Sequence, residues 1–408
     1  MNNILLICQP LNNRGDESAH KGLLRAISKE SPQTRFTVVF LGNKQNSIDQ
    51  FNVMLPNVEY VNIKGHKGLT RFISFLAKYN MIRLSFLMSS TRTLIKYYKN
   101  ADAIMCAPGG MNMGGFQSWD HLYWLKLAAM CKKPLYYYGR SIGPFPVETK
   151  DQRKFRKESR KIIDYISFLS LRDKKSEEEA LKIGVRNYYS TLDSAFLDSP
   201  KVTIPEEIQK QIGDKPYIVF VPNILIWHRA YKGKASKSDV INYYVKMVTI
   251  MVSRFPDYNI VMLPQTFNYD VPLRNDVNLF KDIQSTIQDN RIIVVEDIYS
   301  SDIQQTIISK CQFLVGARYH SIVFAINQAV PFIALSYEHK IEGLLQALNK
   351  TDYMIDITKF FDNTDNTNNS IVSFEKMLSS ISPDSDSQKR AKSIANDCLQ
   401  MFLKEINQ

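Results

Sequence analysis

The sequence lacks any apolar run of the ~18 residues needed to cross a bilayer, so no spanning helix is expected. Its start, MNNILLICQP, offers only Ile4–Cys8 as an apolar stretch, with no basic region ahead of it, and a secretory leader is not expected either. Cysteine is sparse and odd in number. Cys8, Cys106, Cys131, Cys311 and Cys398 are scattered, and no pair has the spacing of metal ligands or of a redox pair. Buried, reduced thiols in a cytoplasmic protein are the simplest expectation. The six histidines form no HExxH or comparable cluster, so neither a metal nor a metal cofactor is expected. Zinc-finger spacing, an RNP signature and a low-complexity basic arm are missing too, which leaves nucleic acid without a motif.

What is present is a chain of 408 residues, 44% hydrophobic and 23% charged, long enough for two domains with substantial cores. The net charge of +12 is unevenly spread. Residues 62–100 hold eight Lys/Arg and no acid, and residues 132–175 hold thirteen Lys/Arg against five acids. In the first stretch the basic residues interleave with Phe72, Ile73, Phe75, Leu76, Ile82, Leu84, Phe86 and Leu87. One reading is a peripheral contact with an anionic membrane surface at its inner face. The other is a core helix with a solvated basic face.

Short β-branched runs alternate with amphipathic segments throughout. Strands are expected at Ile4–Cys8, Phe36–Leu41, Val58–Ile63, Ala103–Cys106, Leu135–Tyr138 and Ser167–Leu171. After Pro200–Pro205 the pattern restarts with Tyr217–Val221, Ile260–Leu263, Ile292–Val295, Phe313–Val315 and Phe332–Leu335. Alternating βα units imply parallel sheets covered on both faces. The expected fold is therefore α/β: two Rossmann-like doubly wound domains facing a cleft, 1–200 and 201–385, with a terminal helix at 386–408 packing on either. Phe361–Ser370 (FDNTDNTNNS) reads as a loop, and a single helix is expected over about 70–99.

Ligands in such folds bind beyond the carboxyl ends of strands, so the loops there are candidate sites. The first is Asn13-Arg14-Gly15-Asp16, where Gly15 permits a tight turn and Asp16 can cap the adjoining helix. Pro108-Gly109-Gly110-Met111-Asn112-Met113-Gly114-Gly115 lets backbone N–H groups approach a ligand, although it is neither GxGxxG nor a P-loop. Arg140 and Arg172 leave the next two strands, either toward the cleft or as ion-pair residues. Gly316-Ala317-Arg318-Tyr319-His320-Ser321 sets a fixed charge and a titratable ring at a helix start, an arrangement suited to a small anion. Lys340, past the next strand, should lie beside Arg318 and His320 if the strands are parallel neighbours.

The ordered set Asn13-x-Gly15-Asp16, Gly109-Gly110, Gly139-x-x-Ile142-Gly143-Pro144, Ser170-x-Arg172-Asp173, Gly316-x-Arg318-x-His320 and Ser336-Tyr337-x-x-Lys340 resembles the polysaccharide pyruvyl transferase family. The resemblance implies a GT-B-like pair of Rossmann-type domains. The implied reaction moves pyruvate from phosphoenolpyruvate to a sugar as a cyclic ketal and releases phosphate. It also implies that Arg172, Arg318, His320 and Lys340 hold or activate phosphoenolpyruvate, with His320 catalytic. The loops bearing Asn13, Asp16, Gly109, Gly110 and Arg140 would then face a glycan or lipid-linked oligosaccharide acceptor. Pro108 and Arg140 depart from the residues common in the family, both on the acceptor side.

The residues suit that chemistry on their own terms. Phosphoenolpyruvate carries about three negative charges, which two arginines and a lysine can meet, and the arginine fork binds carboxylate and phosphate bidentately. A histidine can supply or relay the proton that goes to the methylene carbon. Fixed cations can stabilise the departing phosphate, so no cofactor beyond the donor is expected. The competing readings are a nucleotide-sugar glycosyltransferase or epimerase of the same architecture, with Glu296 or Asp297 on a ribose, and a non-catalytic glycan-assembly protein.

Overall fold

Two all-parallel sheets organise the chain in the computed structural model, which describes residues 3–43, 45, 48, 53–226, 234–267, 275–337, 339–357, 364–382 and 384–407. The first contains Asn3–Ile7 (β1), Arg35–Leu41 (β2), Val58–Ile63 (β3), Ala103–Cys106 (β4), Leu135–Arg140 (β5), Phe168–Leu171 (β6) and Tyr189–Ser190 (β7), in the order β3-β2-β1-β4-β5-β6-β7. The second contains Tyr217–Val221 (β8), Asn259–Met262 (β9), Ile292–Val294 (β10), Leu314–Gly316 (β11), Phe332–Ser336 (β12) and Met354–Asp356 (β13), in the order β10-β9-β8-β11-β12-β13. In both, the first strand is central and the order reverses beside it, the doubly wound pattern. Their central strands are almost wholly buried apolar runs, as a sheet covered by helices on both faces demands.

The chain divides into two compact units. One comprises Met1–Leu11, Ala19–Asp198 and Ser393–Gln408, the other Asn12–Ser18 and Ser199–Lys392. The expected split near residue 200 thus needs one amendment, and the open choice for the terminal residues is resolved. Residues 12–18 go with the second unit because their backbone is bonded into it: Arg14 N–H donates to the Gln265 carbonyl at 2.9 Å, and Phe267 N–H to the Asn12 carbonyl at 3.2 Å. The last residues go with the first unit because Phe402 packs edge-on against Tyr136, Tyr138 and Phe168.

Two local expectations are corrected. The segment expected as one helix over 70–99 is a helix Leu69–Lys78, a 3-10 turn Ile82–Leu87 and a second helix Ser89–Asn100. Of the expected loop Phe361–Ser370, positions 361–363 lie outside the described residues, and the remainder begins a helix, Thr364–Ser380. That helix is held by Phe374 and Leu378, one turn apart and both buried in the second unit's core. The short edge strands β7 and β13 carry too few residues to show a period of two.

Candidate functional site

In the second unit the reversal of strand order falls between β8 and β11, which pair in register at Val221 and Gly316. Side chains just past those strand ends face the position where such folds take ligands. Arg318 is the extended residue before the helix Tyr319–Asn327. Gly316 is fixed by Ser321, in the first turn of that helix: a Cβ on Gly316 would overlap the Ser321 hydroxyl, which donates to the Arg318 carbonyl at 2.6 Å. The Gly-x-Arg-x-His spacing is therefore a packing requirement as well as a motif.

The Arg318 guanidinium is paired with Asp276, a buried carboxylate in the first turn of the helix Asp276–Ile287. Burial works against its charge, yet Asp276, with Tyr337 and Tyr244, holds its pKa above the ordinary arginine value. The other oxygen of Asp276 accepts from the backbone N–H groups of Gln265 and Thr266, each at 3.0 Å. One acid thus positions both Arg318 and the loop after β9.

Several polar atoms around this arginine have no hydrogen-bond partner among the described residues. They are Nε of Arg318, Nε2 of Gln265, the Thr266 hydroxyl, and both side-chain amide atoms of Asn223. Asn223 is 0% exposed and lies two residues past β8. Its backbone is held by Tyr244, whose hydroxyl accepts from Asn223 N–H at 3.3 Å and donates to its carbonyl at 3.0 Å. Leaving a buried polar group unpaired costs roughly 1–3 kcal/mol, so a cluster of them at strand ends is what a polar ligand would satisfy.

His320 is buried in the first helical turn, its ring 5.0 Å from that of Tyr319. Its other neighbour is the Asn13-x-Gly15-Asp16 segment. A Cβ on Gly15 would overlap Cγ and Nδ1 of His320, so only glycine fits. Asn13 rather than Asp16 takes the capping position, accepting from Gly15 N–H at 2.7 Å, and Asp16 sits half-buried in the first turn. Glu17 secures the segment by accepting from the backbone and hydroxyl of Ser301 at 3.1 Å each. Lys340 occupies the first turn of the helix His339–Leu348 after β12, the strand that pairs with β11. The fold therefore gathers Arg318, His320, Lys340, Asn13 and Asp16 within one unit. The expectation that Asn13 and Asp16 share an acceptor-side domain with the glycine loop is corrected.

Gly109, Gly110, Arg140 and Arg172 lie in the first unit, and both arginines serve its framework. Arg140 is buried at the end of β5. Its guanidinium donates to the Ala107 carbonyl, to the Gly110 carbonyl at 3.4 Å and to Asn112 Oδ1 at 2.9 Å, and so shapes the glycine-rich loop. Gly109 packs against that guanidinium, whereas a Cβ on Gly110 would meet nothing within 4 Å. Arg172 is buried, paired with the fully buried Asp193, and donates to the Ser141 hydroxyl at 3.1 Å. Sequence reasoning missed Asn223, Gln265 and Asp276. Each is a single polar residue near a strand end or helix start, and only their unpaired or shared hydrogen bonds distinguish them.

A model of the family described as "Polysaccharide pyruvyl transferase" matches residues 13–339. The chain is 21% identical over 375 residues to the amylovoran biosynthesis protein AmsJ of Erwinia amylovora, covering 86% of each. Among solved structures it resembles the UDP-GlcNAc 2-epimerase of Neisseria meningitidis bound to UDP-GlcNAc, with a TM-score of 0.56 at 12% identity over 100% of this chain and 99% of that one. It also resembles Arabidopsis thaliana UGT89C1 complexed with quercetin, with a TM-score of 0.57 at 10% identity over 99% and 98% of the two chains. At such identities these structures speak to the fold alone, a GT-B-like pair of Rossmann-like units. With the family matched over most of its length, the chain belongs to the polysaccharide pyruvyl transferases.

Proposed function

We propose that this protein transfers the pyruvyl group of phosphoenolpyruvate to a sugar diol of a surface polysaccharide or its lipid-linked precursor, forming a cyclic ketal and releasing phosphate. The family supports a transferase acting on polysaccharide. The observation that carries the donor assignment is the set of buried, unpartnered polar atoms on Asn223, Gln265 and Arg318, beside His320 and one strand from Lys340. Arg318 binds a carboxylate or phosphate edge through its Nε side, its orientation fixed by Asp276. Lys340 adds a second positive charge, and Asn223 and Gln265 donate to the anion's remaining oxygens. His320 gives a proton to the methylene carbon, so that C2 becomes electrophilic and accepts a sugar hydroxyl. The proton of the first hydroxyl returns to His320, and phosphate leaves with the proton of the second hydroxyl as that oxygen closes the ring. The competing nucleotide-sugar reading would place Glu296 on a ribose, but Glu296 is exposed and paired with Lys281 at 2.6 Å.

The acceptor side includes a surface suited to a membrane. No helix among the described residues is long and apolar enough to cross one. Within 62–100, Ile73, Leu76 and Ile82 are core residues, while Phe75, Tyr79, Met81, Leu84, Phe86 and Leu87 are exposed large hydrophobics in a stretch free of acids. Exposed apolar side chains among cations match an anionic lipid surface, where a lipid-linked acceptor would lie.

The test is phosphate release from phosphoenolpyruvate across lipid-linked and free glycan acceptors, with product masses measured. A gain of about 70 Da, pyruvate less water, is expected on the acceptor. Phosphate release with no mass gain on any acceptor would overturn the transfer.

A further inference from the structure

The first unit has its own reversal of strand order, between β1 and β4, where Ile7 pairs with Cys106. Cys8 comes directly after, and the helix Trp119–Met130 brings His121 to the same place. The two sulfurs and a ring nitrogen of His121 all lie within 4.8 Å of one another. Cys8 and His121 also line a cavity of about 610 Å³, shared with Asn112 and Asp120. We propose that Cys8, Cys106 and His121 form a Cys₂His site for zinc, with its fourth position open to this cavity.

The chemistry of the set selects the ion. Two thiolates and an imidazole favour zinc over the oxygen-seeking magnesium or calcium. Three protein ligands plus an open position is the arrangement of a zinc that takes a water or another oxygen ligand. Zinc coordination needs the sulfurs about 2.3 Å and the nitrogen about 2.0 Å from the ion, so the triangle contracts slightly on binding. His121 has an orienting partner, since Nε2 lies 3.3 Å from the Tyr137 hydroxyl. The charges balance as well: two thiolates cancel the dication, while Arg140 acts on both cysteines and Asp120 opposes it at Cys8. Burial opposes ionisation of both thiols. The hydrogen bond from Cys8, together with Arg140 and His121, nevertheless draws Cys106 down, while Cys8 is pushed up. Zinc binding would form two Zn–S bonds and release the protons of the thiols to solvent. This site lies in the unit without Arg318 and His320, and it does not rest on the donor assignment.

Reduced, chelator-stripped full-length protein titrated with cobalt(II) should develop thiolate-to-cobalt charge-transfer absorption that saturates at one ion per chain and is displaced by zinc. Cys8→Ser and Cys106→Ser should each weaken binding by more than the roughly 100-fold that losing an outer partner costs. Cys131→Ser should change nothing. Where a serine variant fails to fold, zinc must protect Cys8 of the wild-type chain from alkylation, read by peptide mass spectrometry. Absence of the charge-transfer band in reduced wild-type protein, retention of it in folded Cys8→Ser and Cys106→Ser, or unprotected Cys8 at saturating zinc would each overturn the site.

Discussion

Gly15 and His320 are more than 300 positions apart, yet the backbone of one lies against the imidazole of the other, with no room for a methyl group between them. The glycine of the first motif exists for the histidine of the fifth. Gly15→Ala must therefore push the ring aside or lift the 12–18 segment. Displacing a reacting group by about 1 Å can cost on the order of 100-fold in rate. Turnover should fall by that order, while Ala's helix propensity keeps the loss of stability near 1–3 kcal/mol. Wild-type kinetics in a folded Gly15→Ala protein would show that the ring position does not matter.

His320→Gln keeps a polar side chain but removes the proton relay proposed for His320. Phosphoenolpyruvate affinity, measured by calorimetry, should stay within a few-fold, and turnover should drop by about 10²–10⁴. A variant turning over within a few-fold of wild type would reduce His320 to a binding contact.

Asn223→Leu separates ligand binding from folding. The amide has no partner among the described residues, so an apolar side chain of similar volume should leave the melting temperature unchanged or raised. Donor affinity should weaken by about 1.5–3 kcal/mol, the worth of a hydrogen bond to a charged group. Lower stability with unchanged affinity would make Asn223 a structural residue.

The exposed apolar stretch gives a salt-dependent prediction. Binding to vesicles with anionic lipid should exceed that to neutral vesicles and decline with ionic strength, since each basic side chain near such a surface contributes about 1 kcal/mol. The double change Phe86→Ser, Leu87→Ser should lower the co-sedimented fraction without altering turnover on a soluble acceptor. Equal sedimentation in every condition would leave the stretch as a solvated face.

His20 supplies a pH test within the first unit. It is fully buried against the Tyr60 hydroxyl at 2.8 Å, and burial lowers its pKa to about 3, with Lys21 adding to the effect. Below the ordinary value of about 6.5 the unfolded chain takes up a proton that the folded chain refuses. Stability therefore falls as pH drops from about 6.5 toward 3, by up to about 1.4 kcal/mol per unit from this group. His20→Gln costs stability at neutral pH, and its deficit should narrow on acidification. A deficit constant between pH 7 and 4, measured by urea unfolding, would contradict the assignment.

Much of this architecture was legible because it rests on buried strands. β4 and β8 coincide with the runs expected, since a central parallel strand is a continuous apolar run bounded by turns, and the edge strand β3 coincides through its alternating VEYVNI pattern. The placement of Arg318, His320 and Lys340 at the ends of two neighbouring strands was legible because it follows from the strand pattern alone. Arg140 and Arg172 show the limit of that reasoning, because a strand-end arginine can turn inward to the loops of its own unit. Asn223 and the Cys8–Cys106–His121 group were not legible at all. Their meaning lies in which hydrogen bonds are missing and which side chains converge, and neither leaves a spacing in the chain.

The docking of residues 12–18 has a consequence for dissection and for gene fusion. A fragment beginning after Asp198 keeps Arg318, His320 and Lys340 but loses the glycine that backs the histidine and the Glu17 carboxylate that holds Ser301. The two halves are thus not exchangeable modules: a chimera that swaps the second half for a homologue's must carry seven residues from near its own amino terminus. Supplying those residues in trans, as a synthetic peptide, is the minimal complementation such a fragment requires.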